Sequence, residues 1–104
     1  MTTKNTVKAK KAIRKITGPI SFGEMLSSFR LAHEHSQVAL AEVLGISKQE
    51  LCNIEKGRKL VSVERAKNFA EALGMPSRTF AKYALQDQLN SAGIEGEVEI
   101  NEVA

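Results

Sequence analysis

The sequence predicts an all-α fold of five short helices, and three observations predict it. From Phe22 to Ala84 the apolar side chains recur at spacings of three and four, the period of one buried helical face. Ser21, Ser36, Ser47 and Ser62 each stand just before such a run, where a hydroxyl can accept from an unpaired first-turn amide. Gly45, Gly57, Gly74 and Gly93 stand just after the runs, where the chain leaves a helix.

Each element follows from these signals. Ser21-x-x-Glu24 reads as a capping box, the serine accepting from an amide while the glutamate reaches back. The helix behind it carries Phe22, Leu26 and Phe29 on one face and is expected to end near Glu34. Ser36 opens a second helix, Gln37 to Leu44, with Leu40, Ala41 and Leu44 inward and Gly45 as its stop. Ser47 caps a third, Lys48 to Glu55, which buries Leu51 and Ile54 and ends at Lys56-Gly57. Ser62 caps a fourth, with Val63, Ala66, Phe69, Ala70 and Leu73 inward and Gly74 after it. Pro76-Ser77 opens a fifth, with Phe80, Tyr83 and Ala84 inward, ending before Gly93. Glu97-Val98-Glu99-Ile100 alternates polar and apolar as a half-buried strand would, and fits a frayed acidic tail equally well.

Charge divides the 104 residues into three parts. Residues 1–20 carry Lys4, Lys8, Lys10, Lys11, Arg14 and Lys15 without an acid, and read as a flexible basic tail closed by Gly18-Pro19. Residues 21–93 are close to neutral and form the folded domain. Residues 94–104 are acidic through Glu95, Glu97, Glu99 and Glu102. No stretch approaches the ~20 apolar residues of a membrane span, and the polar amino-terminus lacks a secretory h-region. The single Cys52 excludes an internal disulfide and fits a reducing cytoplasm. His33 and His35 are two apart and face different sides of a helix, so they make no metal pair. With no HExxH, phosphate loop, GxSxG or paired cysteines, neither an enzyme nor a cofactor or small-molecule ligand is expected.

The informative stretch runs from Gln37 to Gly57: two short helices joined by a turn of three to four residues containing glycine, the layout of a helix-turn-helix. Small Ala41 lets the helices approach, Gly45 makes the turn, Ile46 plugs the corner, and Leu51 and Ile54 pin the second helix to the core. Lys48, Gln49, Cys52, Asn53 and Lys56 then face outward.

On these residues the chain resembles the Cro/C1-type (phage-repressor) helix-turn-helix family. The matching positions are Leu26, Phe29, Arg30, Ser36, Gln37, Leu40, Ala41, Leu44, Gly45, Ile46, Ser47, Leu51, Ile54, Glu55 and Gly57. His35 departs from the pattern, which has an apolar residue there. The resemblance implies that Lys48, Gln49 and Asn53 reach base edges in the major groove, with Lys suited to guanine and the amides to adenine. It implies phosphate contacts from Gln37, at the start of the second helix, and from Lys56, Arg58 and Lys59 after the third. It also implies a buried structural pair between Arg30 and Glu55.

In size and arrangement the chain further resembles the HigA antitoxins, which repress their own operon and neutralise a small messenger-RNA-cleaving toxin. The expected partners are therefore double-stranded operator DNA, a cognate toxin and a second copy of the chain. In that homodimer, Leu85, Leu89, Ile94, Val98 and Ile100 are candidates for the contact. Ala9, Ala12, Ile13, Ile16 and Ile20 fall on one helical face, with Lys8, Lys11 and Lys15 opposite. That stripe suits a segment folding onto a toxin groove through Ile13, Ile16 and Ile20, whereas its six positive charges suit a DNA-binding arm. The second alternative makes the protein a stand-alone phage- or plasmid-type repressor.

Overall fold

Ser21 accepts at Oγ from the Glu24 amide (3.1 Å), and Glu24 Oε1 accepts from the Ser21 amide (3.3 Å), so the capping box closes in both directions. This opens the computed structural model, which describes residues 20–101. The fold is all-α: α1 Phe22–Ala32, α2 Gln37–Leu44, α3 Lys48–Glu55, α4 Val63–Leu73 and α5 Ser77–Ser91. Ser36, Ser47 and Ser62 each accept from the amide three residues on, satisfying one of the donors a helix start leaves open. No helix among the described residues is long and apolar enough to cross a membrane.

Helix α1 stops at Ala32, two residues before the expected Glu34. The amides of Glu34 and His35 turn back to Leu31 O and Arg30 O, and Glu34 takes a φ of 56°. This is the hydrogen-bond pattern that glycine-ended helices use, built here on a residue with a side chain. It was illegible because no glycine marks it.

The core is formed by Phe22 and Leu26 of α1, Leu40 and Ala41 of α2, and Leu51 and Ile54 of α3. Val61, Ala66, Phe69, Ala70, Phe80 and Ala84 complete it from the α4–α5 side. Phe22 sits at its centre, with Phe80 edge-on at 5.7 Å and Phe69 tilted at 6.3 Å between ring centroids. Burying each such aromatic or leucine contributes about 1.5–3 kcal/mol. Phe29, expected inward, is only half-buried. Its ring stacks on His33 one turn later at 4.2 Å, an i,i+4 pairing that holds it beside the core rather than in it. Leu44, Val63, Leu73 and Tyr83 likewise pack as partly buried neighbours of the core.

Helices α4 and α5 form the most extensive pairing, and α1 crosses both α3 and α5. At the α1–α3 crossing a Cβ on Gly23 would collide with the carbonyl oxygen of Ile54 and lie 2.9 Å from that of Glu55. Only a residue without a side chain lets the two backbones meet there. At the α1–α5 contact Asp87 accepts from the Phe22 amide (3.0 Å), adding a third cap to the start of α1. Burial pushes the Asp87 carboxyl above its usual range, against the opposing pull of that amide.

Residues 97–100 form no strand. Their segment is instead tied to α5 by the buried residue Gln86. Gln86 Nε2 donates to Gly96 O (2.7 Å) and Gln86 Oε1 accepts from the Val98 amide (2.9 Å). A side-chain amide thus takes the place a neighbouring strand would have filled. Of the candidate dimer residues, Leu85, Leu89 and Val98 are half-buried, while Ile94 and Ile100 are exposed. The basic segment through residue 19, including Ile13 and Ile16, lies outside the described residues; Ile20 is half-buried.

Candidate nucleic-acid interface

The turn between α2 and α3 is built from backbone bonds. Gly45 adopts φ 71°, which places its amide on Glu42 O and the Ile46 amide on Ala41 O (3.0 Å). A residue with a Cβ is strained in that conformation. Ser47 then opens α3, with Leu51 and Ile54 fully buried beneath it. Anchoring these two fixes the rotation of the helix about its axis. Lys48, Gln49 and Lys56 face solvent, and Cys52, a free thiol, and Asn53 are half-buried on the same outer side.

The outward amides are not independent. Gln49 Nε2 donates to Asn53 Oδ1 (3.2 Å), and Arg58 Nη1 approaches the same oxygen at 3.4 Å. The main chain of Arg58 is fixed at the end of α3, where its amide bonds Asn53 O at 2.8 Å. Of the cations expected along a DNA backbone, Lys56 is exposed, while Lys59 pairs with Glu50. Glu50 also binds Arg65 Nη1 at 2.7 Å. Hydrogen bonds from Arg65 and then Lys59 hold the Glu50 carboxyl down at about 2, and Arg65 is raised in return. This three-membered cluster joins the first turn of α3, the following loop and α4. Sequence reasoning missed it, since nothing in residue spacing relates Glu50 to Arg65.

Beneath α3, Arg30 meets Glu55 in a two-pronged pair: Nε to Oε2 at 2.8 Å and Nη2 to Oε1 at 3.0 Å. The side chains are 14% and 5% exposed. The hydrogen bond to Glu55 raises the Arg30 pKa beyond its already high ordinary value, against the opposing effect of burial. Arg30 Nη1 also donates to His35 O at 3.2 Å, so one guanidinium ties α1, the α1–α2 turn and α3 together. Gln37, expected on phosphate, directs Nε2 to Glu55 Oε1 at 3.1 Å, joining this network from the start of α2. His35, the departure from the pattern, keeps a buried Nδ1 with no hydrogen-bond partner among the described residues.

The arrangement is a short helix anchored on its inner side by Leu51 and Ile54, with amide and ammonium groups along its outer side. Such a helix fits the width of a DNA major groove, and its groups match the donors and acceptors of base edges. No curated protein matches the chain, and no solved structure does. A helix-turn-helix family model matches residues 26–80, more than half of the chain, from the end of the first turn of α1 into α5. The chain belongs to the Cro/C1-type helix-turn-helix family of DNA-binding transcription regulators.

Proposed function

We propose that this regulator is the antitoxin of a type II toxin–antitoxin module, repressing its own operon and neutralising a cognate ribonuclease toxin. The observation that carries the DNA-binding part is the outer face of α3, where exposed Lys48 and Gln49 and half-buried Asn53 lie opposite a fully anchored inner face. Lys48 offers donors to guanine, Gln49 and Asn53 address neighbouring base edges, and Lys56 and Lys59 flank the helix for phosphate. Gln37 adds the amino-terminal end of α2 to the phosphate contacts. A homodimer brings two such helices to half-sites about 34 Å apart on an inverted repeat.

The antitoxin part is supported by the apolar stripe of Ala9, Ala12, Ile13, Ile16 and Ile20, which a phosphate-tracking arm does not need. The six positive charges of the same segment favour the second reading, a stand-alone repressor whose arm wraps DNA. One experiment separates them. The full chain and a form lacking residues 1–18 are each co-expressed with the adjacent reading frame, purified, and assayed on operator DNA. In an antitoxin the truncation loses the co-purifying partner and keeps most operator affinity. In a stand-alone repressor no partner co-purifies, and truncation lowers both affinity and its salt dependence.

A further inference from the structure

We propose that Arg58 sets the donor–acceptor polarity of the base-reading face of α3, and thereby directs Asn53 to guanine rather than adenine. The assignment rests on the reading of Gln49 and Asn53 as base-contacting residues. A carboxamide can present either its oxygen or its nitrogen to a neighbour, and the two ends have nearly the same shape. A guanidinium removes the choice, because it donates at every nitrogen and accepts nowhere. With Arg58 Nη1 at 3.4 Å, the Asn53 atom facing it is the oxygen.

The consequence passes to Gln49. Its amide meets the same Asn53 oxygen at 3.2 Å, so it donates from Nε2 and turns Oε1 outward. Gln49 still offers a base both an acceptor and its second Nε2 hydrogen, the pair that matches adenine N6 and N7. Asn53 offers only the two hydrogens of Nδ2. A donor-only group has no partner in the adenine N6 or cytosine N4 amino hydrogens and meets a single acceptor in adenine N7 or thymine O4, whereas guanine presents two adjacent acceptors, N7 and O6. The position read by Asn53 therefore favours guanine, and the residue that makes it so does not touch the base. The main chain of Arg58 is fixed beside Asn53, its amide bonding Asn53 O at 2.8 Å where the chain leaves α3, and the side chain reaches Oδ1 from there. Both Arg58 and Gln49 are exposed, so the arrangement can be altered without disturbing the core.

The test is selection of the full-length protein on a randomised double-stranded DNA library, comparing the natural chain with Arg58→Met, Arg58→Lys and Lys56→Met. The natural protein is expected to prefer guanine over adenine by about tenfold or more at one position of each half-site. Arg58→Met frees the Asn53 amide to turn and moves that one position toward adenine. Arg58→Lys, which keeps a donor-only head, retains guanine. Lys56→Met weakens every sequence alike and lowers the salt slope by about one. If Arg58→Met keeps the natural preferences and behaves as Lys56→Met does, Arg58 is a phosphate contact and the assignment is overturned while α3 remains the reading helix. If the natural protein enriches no motif at all, the base-reading role of α3 falls, and this assignment with it.

Discussion

Replacing Arg30 by Met removes two of the charge-assisted hydrogen bonds of Glu55, whose side chain is 5% exposed in the intact pair. Removing one partner of such a pair costs roughly 3–5 kcal/mol, since the other charge remains in poorly solvated surroundings. Gln37 Nε2 stays at 3.1 Å from Oε1 as partial compensation, while the third bond of Arg30, to His35 O, is also lost. The lower end, about 3 kcal/mol, is therefore expected. With a urea slope on the order of 1 kcal/mol/M for a domain this small, the midpoint falls by about 3 M, a large part of the total stability. Arg58→Met, a control with the same side-chain change at an exposed site, shifts stability by about 0.5 kcal/mol or less. The double variant Arg30→Met/Glu55→Leu recovers much of the loss, because no charge is left buried alone. Urea unfolding followed by circular dichroism measures all three. Equal midpoints for Arg30→Met and Arg58→Met would refute the argument from burial.

Three further outcomes are expected. Gly23→Ala forces α1 away from the Ile54 and Glu55 carbonyls, and lowers stability by about 1–3 kcal/mol in the same urea assay; an unchanged midpoint would show that the crossing can open freely. Glu34→Gly relieves a left-handed side-chain conformation and stabilises by about 0.5–1 kcal/mol, raising Tm by roughly 2–8 °C in calorimetry, whereas Glu34→Val should lower it. Glu50 is held at about 2, below its ordinary 4.5, so its contribution is present above pH 4.5 and fades as pH falls toward 2. Its pairs are partly exposed and contribute about 1 kcal/mol or less. Asp87, raised by burial, works in the opposite sense, so the informative quantity is the difference between natural and Glu50→Gln chains. That difference should shrink on acidification, and a constant gap from pH 6 to pH 2 would show that the pairing does not titrate.

The helices were legible because their signals are local. Ser36, Ser47 and Ser62 bond amides three residues away, and a left-handed glycine such as Gly45 ends its helix within its own turn. What was hidden depends on tertiary approach. Gly23 reads as a weak helix residue until α3 is laid across it, and Val61, fully buried, stands in a loop outside any periodic run. The outer face of α3 could be read because Leu51 and Ile54 fix its rotation. The couplings of Glu50 to Arg65, Arg58 to Asn53 and Gln37 to Glu55 could not, since each long side chain had several partners within reach. Residue type and spacing do not choose among them.

On the carboxy-terminal segment Gln86 bonds main-chain atoms, the Gly96 carbonyl and the Val98 amide, while its Nε2 also donates to Asn90 Oδ1 within α5 (3.1 Å). A bond to the main-chain amide of residue 98 does not depend on the side chain that residue carries. The side chain of residue 98 can change size, polarity or charge without loosening the grip, and proline alone would break it by removing the amide hydrogen. Mutation at α5 has the reverse effect, since Gln86→Leu would remove both main-chain bonds whatever the sequence of the segment. Position 98 is therefore expected to accept any residue but proline without loss of its bond to Gln86.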